Sequence, residues 1–241
     1  MNIRRQLLKS MAVAPVALNS SAFAFSASKP VRVIVPNATG GGMDILARTI
    51  CHGVAAAIKE TLIVENRPGA ATAIGAAEAS RAAGDGYTLL IADNGTMTIN
   101  PLIYKQLNYA PAQDFTPISL LAKFPMIFAC GSLVKETSIK EIIASRSKEK
   151  PFTYGSPGLG SPHHLAMELF SKLTGMPIKH VPYKGAAPAV QDVASGQIDG
   201  MMVDYAAGRA MLATGKVRPI AVANEKRLHQ LPEVPTFEEV G

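Results

Sequence analysis

Two glycine-rich turns are the parts of this sequence whose residue types and spacing could do chemistry. They span residues 37–42 and 155–161, and each lies between an apolar run typical of a buried strand and a segment with helical periodicity. A turn in that position presents the unpaired N–H groups of a helix N-terminus, which bind anions, and glycine lets the backbone approach the ligand. The candidate ligand-contacting residues in and beside these turns are Asn37, Thr39, Gly40, Gly41, Gly42, Asp44, Gly158, Gly160 and Ser161.

Other chemistries of glycine-rich turns need patterns that these two turns lack. A dinucleotide site needs G-x-G-x-x-G and a phosphate-binding P-loop needs Gly-Lys-Ser/Thr, and neither stands in the first turn. Ser161 follows the second glycine of its turn, so it is not the serine of a G-x-S-x-G nucleophile elbow. One such turn is often purely structural, but two at matching places favour a small anion held between them.

Few titratable side chains accompany these turns. Asp44 stands in the first turn of a predicted helix, where it could cap N–H groups or contact a ligand. Asp204 ends an apolar predicted strand, at the edge where open α/β sheets bind ligands, so we predict a pocket role for it. We expect no metal at His163 and His164, which point to different helix faces, and no cofactor. No serine, cysteine or lysine has a visible base partner, which weighs against an enzyme.

The first 24 residues have the three regions of a signal peptide. A basic stretch ending at Lys9 precedes a modest apolar stretch, and Ala22-Phe23-Ala24 supplies the small-x-small pattern before a cleavage site. We therefore predict cleavage after Ala24 and export to the periplasm. Arg4-Arg5 resembles a twin-arginine signal, and ordinary Sec export remains an alternative. The competing interpretation is an amphipathic helix on a cytosolic protein.

The composition is that of a globular protein, with 48% hydrophobic and 17% charged residues in a chain of 241. The formal charge of +6 falls to +3 without residues 1–24, which leaves 21 basic and 18 acidic side chains. No cluster of basic residues interleaved with aromatics is present, so nucleic-acid binding is not expected. The two cysteines, Cys51 and Cys130, are expected to be buried small hydrophobes, with a disulfide between them as the alternative.

Strands and helices are predicted to alternate along the mature chain, and the alternation occurs in two units. The first unit contains a strand at residues 31–35 and a helix near 43–60, and the second contains a strand at 152–154 and a helix at 162–174. Alternation of this kind favours an α/β fold with parallel sheets. Each unit has one strand, glycine turn and helix in succession.

The order of motifs along residues 31–241 closely resembles the substrate-binding receptors of tripartite tricarboxylate transporters, the Bug family. On this resemblance, Thr96 and Gly185 are two further candidate ligand-binding residues. The matching motifs are Gly40-Gly41-Gly42-Met43-Asp44, Glu65-Asn66-Arg67-Pro68-Gly69-Ala70, Asp85-Gly86-Tyr87, Asn100-Pro101, Gly158-Leu159-Gly160-Ser161, His180-Val181-Pro182-Tyr183-Lys184-Gly185 and Leu231-Pro232-Glu233-Val234-Pro235-Thr236.

This resemblance implies an α/β fold of the type II periplasmic-binding-protein class, with the ligand cleft between two lobes. It implies a monomer that captures a small carboxylate and delivers it to membrane permease subunits. The expected organisation is a signal peptide over residues 1–24, a first lobe over 25–121 and a second lobe over 122–224. Residues 225–241 are expected to complete the first lobe in part, because members of the family continue beyond this point and the chain looks C-terminally truncated.

Two departures from the family pattern keep the solute open. Asn37 and Thr39 stand where apolar residues or proline are usual, and Met43 stands where a hydroxyl residue is common. Beside a transport receptor, the sequence leaves an α/β enzyme acting on a carboxylate, a sensor module and a truncated non-functional relative as alternatives. We also expect Gly41→Val to abolish binding, either by obstruction or by straining a positive-φ position.

Overall fold

The computed structural model describes residues 29–241, so the predicted signal peptide lies outside the described residues. Strands and helices alternate as expected, with a π-helical segment at Gly95–Ile99. The strands are β1 (Val31–Val35), β2 (Leu62–Asn66), β3 (Thr88–Leu90), β4 (Met126–Gly131), β5 (Phe152–Ser156), β6 (Ile178–Pro182), β7 (Gly200–Asp204) and β8 (Val217–Ala223). The helices are α1 (Gly42–Ile58), α2 (Ala73–Ser80), α3 (Asn100–Ile103), α4 (Pro111–Asp114), α5 (Ile139–Ala144), α6 (Pro162–Thr174), α7 (Ala186–Ser195) and α8 (Tyr205–Ala213).

The first sheet is a small parallel sheet with the strand order β2-β1-β3. Its central strand β1 is β-branched except at Arg32, and Val33, Ile34 and Val35 are all buried because both neighbouring strands and the helices cover it. Ala47 and Cys51 of α1 pack into the same core. Burial on both sides explains why this strand has a nearly continuous apolar sequence and not an alternating one.

The second sheet is larger and mixed, with the strand order β6-β5-β7-β4-β8. Strand β5 pairs in parallel with β6 and β7, as the sequence predicted, but β4 runs antiparallel to both of its neighbours. A helix that connects two neighbouring strands of one sheet makes those strands parallel. The chain enters β4 from the first sheet, so no such connection within the second sheet sets its direction. Phe128 of β4, Phe152 and Phe170 form the centre of this lobe's core.

Residues 225–241 pack against the second sheet, although the sequence analysis expected them to complete the first lobe. The N–H of Val222 donates to the carbonyl of Pro235, and the N–H of Phe237 donates back to Val222. Phe237 contacts the core of the second sheet, and Leu231 packs on the other face of that sheet. This final segment therefore extends the edge of the second sheet beyond β8.

Both cysteines are buried and unpaired, so the disulfide alternative is not realised in the structure. Burial raises the pKa of the Cys51 thiol and raises that of Cys130 to about 12, which leaves both thiols protonated and unreactive. Within residues 29–241, no helix has the length and apolar character needed to cross a membrane.

Candidate functional site

The turns that follow several strands of both sheets meet at one cavity. Its volume is about 50 Å³, room for a few water molecules at roughly 10–15 Å³ each, and it is partly open to solvent. The lining comes from the turns after β1, β3, β5, β6 and β7, and from the residues just before α2. These residues are Asn37, Gly41, Gly42, Met43, Ala71, Thr72, Asp93, Gly95, Pro157, Ser161, Pro162, His163, Ala186 and Asp204.

Four helices begin at this cavity. Gly41 caps α1, Ser161 caps α6, Asp204 caps α8, and Ala186 is the first residue of α7. The first N–H groups of a helix have no intrahelical acceptor, and each helix carries about half a positive charge at that end. Among the described residues that line the cavity, none is lysine or arginine. An anion in this cavity would therefore be held by helix N-termini and polar side chains.

Asp44 stabilises the first glycine turn and does not line the cavity. Asp44 is 2% exposed, and its carboxylate accepts hydrogen bonds from the Gly40 N–H at 2.9 Å, from Arg48 at 3.0 Å and from Asn66 at 2.9 Å. Burial alone would raise the pKa of Asp44, but these hydrogen bonds outweigh it and hold the pKa below its usual value. The carboxylate thus stays ionised and supports the turn.

Gly42 and Asp204 bring the two lobes into contact. A Cβ added at Gly42 would lie 2.7 Å from Cγ and 2.9 Å from Oδ2 of Asp204, and would overlap Oδ1 as well. Asp204 is held in place because its Oδ1 accepts the Ala207 N–H at 2.8 Å and so caps α8. The glycine is required at this position by close approach of the other lobe, since its own backbone is helical.

A half-buried cluster of histidines supports the second glycine turn. The Gly160 N–H donates to Nδ1 of His164 at 3.2 Å, and the imidazole of His180 lies 4.3 Å away, between ring centroids. Burial lowers the pKa of His164, and burial together with His164 lowers the pKa of His180. Ser156 Oγ lies 2.7 Å from Nε2 of His180, but Ser156 is fully buried and its hydroxyl also donates to the Gly158 carbonyl. The pair is therefore structural and does not resemble an exposed nucleophile with its base.

Three successive residues without glycine adopt left-handed backbone beside the cavity. Ala70, Ala71 and Thr72 have φ of 45°, 47° and 78°. Such a conformation costs about 1–2 kcal/mol per residue and persists at functional sites when surrounding contacts impose it. Here Asn100 donates to the Ala71 carbonyl at 2.7 Å, and the Thr72 hydroxyl is hydrogen-bonded to the Thr96 hydroxyl at 2.8 Å.

The structure brings five of the twelve candidate residues together at the cavity and places the other seven around it. Thr96 binds Asp93 through both its N–H and its hydroxyl, and so orients a side chain that does line the cavity. The five that line the cavity are Asn37, Gly41, Gly42, Ser161 and Asp204, and the seven that do not are Thr39, Gly40, Asp44, Thr96, Gly158, Gly160 and Gly185.

Gly41 has φ −77°, so a valine there would not be strained, and only the obstruction argument for Gly41→Val remains.

Sequence reasoning missed Thr72, Asp93 and His163 as residues of the cavity. Thr72 and Asp93 lie in turns without a helix-capping glycine pattern, so no local signal marks them. His163 was weighed only as a metal ligand, and within residues 29–241 no three His, Cys, Asp or Glu side chains group as a metal site. A better signal was its place two residues after Ser161, at the start of a helix that follows a glycine turn.

Comparison with known proteins gives one consistent group of relatives. The family model described as tripartite tricarboxylate transporter family receptor matches residues 46–241. Protein BugT of Bordetella pertussis is 30% identical over 233 residues, which cover 96% of this chain and 71% of BugT.

Two solved structures from Rhodopseudomonas palustris share the fold. Rpa4515, solved with adipate, is 34% identical with a TM-score of 0.85, and the match covers 90% of this chain and 73% of that protein. MatC, solved with bound malate, is 29% identical with a TM-score of 0.84, and the match covers 90% of this chain and 74% of MatC.

Proposed function

The chain belongs to the tripartite tricarboxylate transporter receptor family, and from this premise we propose that it binds a small carboxylate between its two lobes for a membrane transporter. The two-lobed α/β binding-protein fold that the sequence predicted is confirmed by the structural relatives. The observation that carries the proposal is the meeting of four helix N-termini from both sheets at one cavity. Adipate and malate, which two relatives hold, are both dicarboxylates, and a dicarboxylate is the class we assign to this chain.

The proposal implies that the carboxylate binds where the N-termini of α1 and α6 face each other. An anion gains from several N–H donors and dipole ends without a counter-charged side chain. Asn37 adds a further polar group, because its Oδ1 is buried without a hydrogen-bond partner among the described residues. A ligand hydroxyl or an ordered water would satisfy this acceptor.

Calorimetry of ligand-stripped protein with adipate, malate and a panel of other di- and tricarboxylates tests the function. Gly41→Val should abolish binding without unfolding the protein. The valine side chain would enter the cavity at the N-cap position of α1. Gly53→Ala is the matched control, because an added Cβ there meets nothing within 4 Å. A folded Gly41→Val variant that binds as tightly as the parent would remove this cavity as the site.

Further properties belong to the same proposal. We propose that the protein is exported through the segment ending at Ala24 by the Sec or twin-arginine route, and that it works in the periplasm as a monomer. Its partners would be the permease subunits of the transporter, and it would release its solute chemically unchanged, without catalysis. The lobes would span residues 25–121 and 122–224, with residues 225–241 packed on the second. Mass analysis of the mature N-terminus from a periplasmic fraction tests the first of these statements.

A further inference from the structure

His163 is a polar side chain at the cavity that the fold leaves without partners. Both of its ring nitrogens are buried and have no hydrogen-bond partner among the described residues. Burying a donor or acceptor without a partner costs about 1–3 kcal/mol, so an unsatisfied group in a cavity wall indicates a ligand that completes it. His163 is the second residue of α6, and its side chain lines the cavity beside the helix N-termini.

Asp204 is placed to hold the imidazole. Its Oδ2 lies 3.6 Å from Nε2 of His163, which is beyond a hydrogen bond but close enough for an ion pair once the ring is protonated. Its other oxygen is already used by the Ala207 N–H. The side chains of His163 and Asp204 are 16% and 7% exposed, so little solvent screens the pair. If Nε2 of His163 faces Asp204, Nδ1 is left for the ligand.

The charges around the cavity give His163 a particular importance. The titratable side chains among the described lining residues are Asp93, Asp204 and His163. Outside the lining, His164 and Glu168 on the same helix contact each other at 3.7 Å. His163 is thus the one lining side chain in the described part of the chain that can become a cation. A dianion enclosed with two aspartates needs such a charge more than a monoanion does.

We propose that His163 binds the second carboxylate of the solute. Its imidazolium ring is held by Asp204 and donates a hydrogen bond from Nδ1 to the ligand. This rests on the proposed function and deepens it, because it names the residue that separates dicarboxylates from monocarboxylates. Only the protonated ring makes this contact, so the affinity for a dicarboxylate falls as the pH rises, toward about tenfold per pH unit.

The test compares matched pairs of ligands that differ by one carboxylate. Calorimetry at pH 6.5 and 8.5 measures adipate against hexanoate, and malate against 3-hydroxybutyrate, for the parent and for His163→Gln. The glutamine keeps hydrogen-bonding capacity but not the charge. We expect His163→Gln to lose about ten- to a hundredfold in affinity for the dicarboxylates at pH 6.5, as for a lost charged hydrogen bond, and less than threefold for the monocarboxylates. Its dicarboxylate affinity should no longer depend on pH.

Two further variants separate this role from a structural one. Asp204→Asn keeps the cap of α8, because asparagine is an equally good N-cap, and should lower the pH at which dicarboxylate affinity is lost. His52→Gln changes an exposed histidine on α1 and should leave both ligand series unchanged. A parent that binds none of these carboxylates overturns the proposed function and this inference with it. A parent that prefers dicarboxylates while His163→Gln retains both the preference and the pH dependence overturns the inference alone.

Discussion

Replacement of Gly42 by alanine should hold the lobes apart without harming the fold of either lobe. The backbone at Gly42 is helical, so alanine itself is at least as favourable there as glycine. The added methyl group, however, would lie 2.7 Å from Cγ of Asp204, against about 3.5–4.0 Å for an ordinary contact between carbon atoms. Closure therefore requires the lobes to separate by about 1 Å or the side chain of Asp204 to rotate.

The cost of either adjustment can be estimated from the contacts involved. Rotation of Asp204 forfeits its hydrogen bond to the Ala207 N–H and the cap of α8, which is worth about 1 kcal/mol. Retention of the side chain in place corresponds to overpacking, which costs about 1–3 kcal/mol. Because only the closed form bears this cost, the affinity for the carboxylate should fall by about 5- to 150-fold.

The assay is calorimetry beside thermal unfolding, with Gly53→Ala as the control on the same helix. Gly53→Ala adds the same methyl group to α1 where nothing lies within 4 Å, so it should gain stability and keep its affinity. Small-angle scattering with saturating ligand should show the parent closed and Gly42→Ala more open. If Gly42→Ala binds and closes as the parent does, the contact between Gly42 and Asp204 does not limit closure and the reasoning is wrong.

Two other predictions concern stability. The fold lowers the pKa of His164 and of His180. As the pH falls below about 6.5, the unfolded chain therefore takes up more protons at these histidines than the folded chain does. The stability that the protein has above about pH 6.5 should be lost progressively as the pH falls further. Urea unfolding at pH 7.5 and 5.0 measures this, and a midpoint that does not fall at pH 5.0, or that falls as far in His164→Gln, would contradict it. Ala71→Gly should raise the free energy of unfolding by up to about 1 kcal/mol, since glycine tolerates a φ of 47°, whereas Ala79→Gly within α2 should lower it by about as much. A loss of stability in Ala71→Gly as large as in Ala79→Gly would mean that the turn carries no strain.

The elements that the sequence predicted best are those with strong local signals. Strand β1 and helix α6 begin and end at the predicted residues, because a mostly β-branched run, a proline at the first helical position and a cap at Ser161 act locally. The direction of β4 could not be predicted in this way. It depends on the lobe from which the chain arrives, and no residue of β4 encodes that.

The site shows the same division between local and distant information. Gly41, Ser161 and Asp204 were predicted because they occupy helix N-termini or strand ends, which sequence patterns mark. Whether a glycine contacts the ligand or the opposite lobe depends on tertiary approach, so Gly42 looked like Gly40 in sequence and differs from it in the structure. The left-handed residues before α2 carry alanine and threonine where φ would favour glycine, and sequence reasoning therefore overlooked that turn.

An anion site built from helix N-termini, with no lysine or arginine among the lining residues that the structure describes, has a consequence for the ionic environment. The field of a dipole end acts over about one helical turn, whereas a surface cation attracts ligands over a Debye length of about 10 Å at 0.1 M salt. Salt therefore has little long-range attraction to screen at this cavity. Capture of the carboxylate should proceed at nearly the same rate in dilute and in concentrated salt.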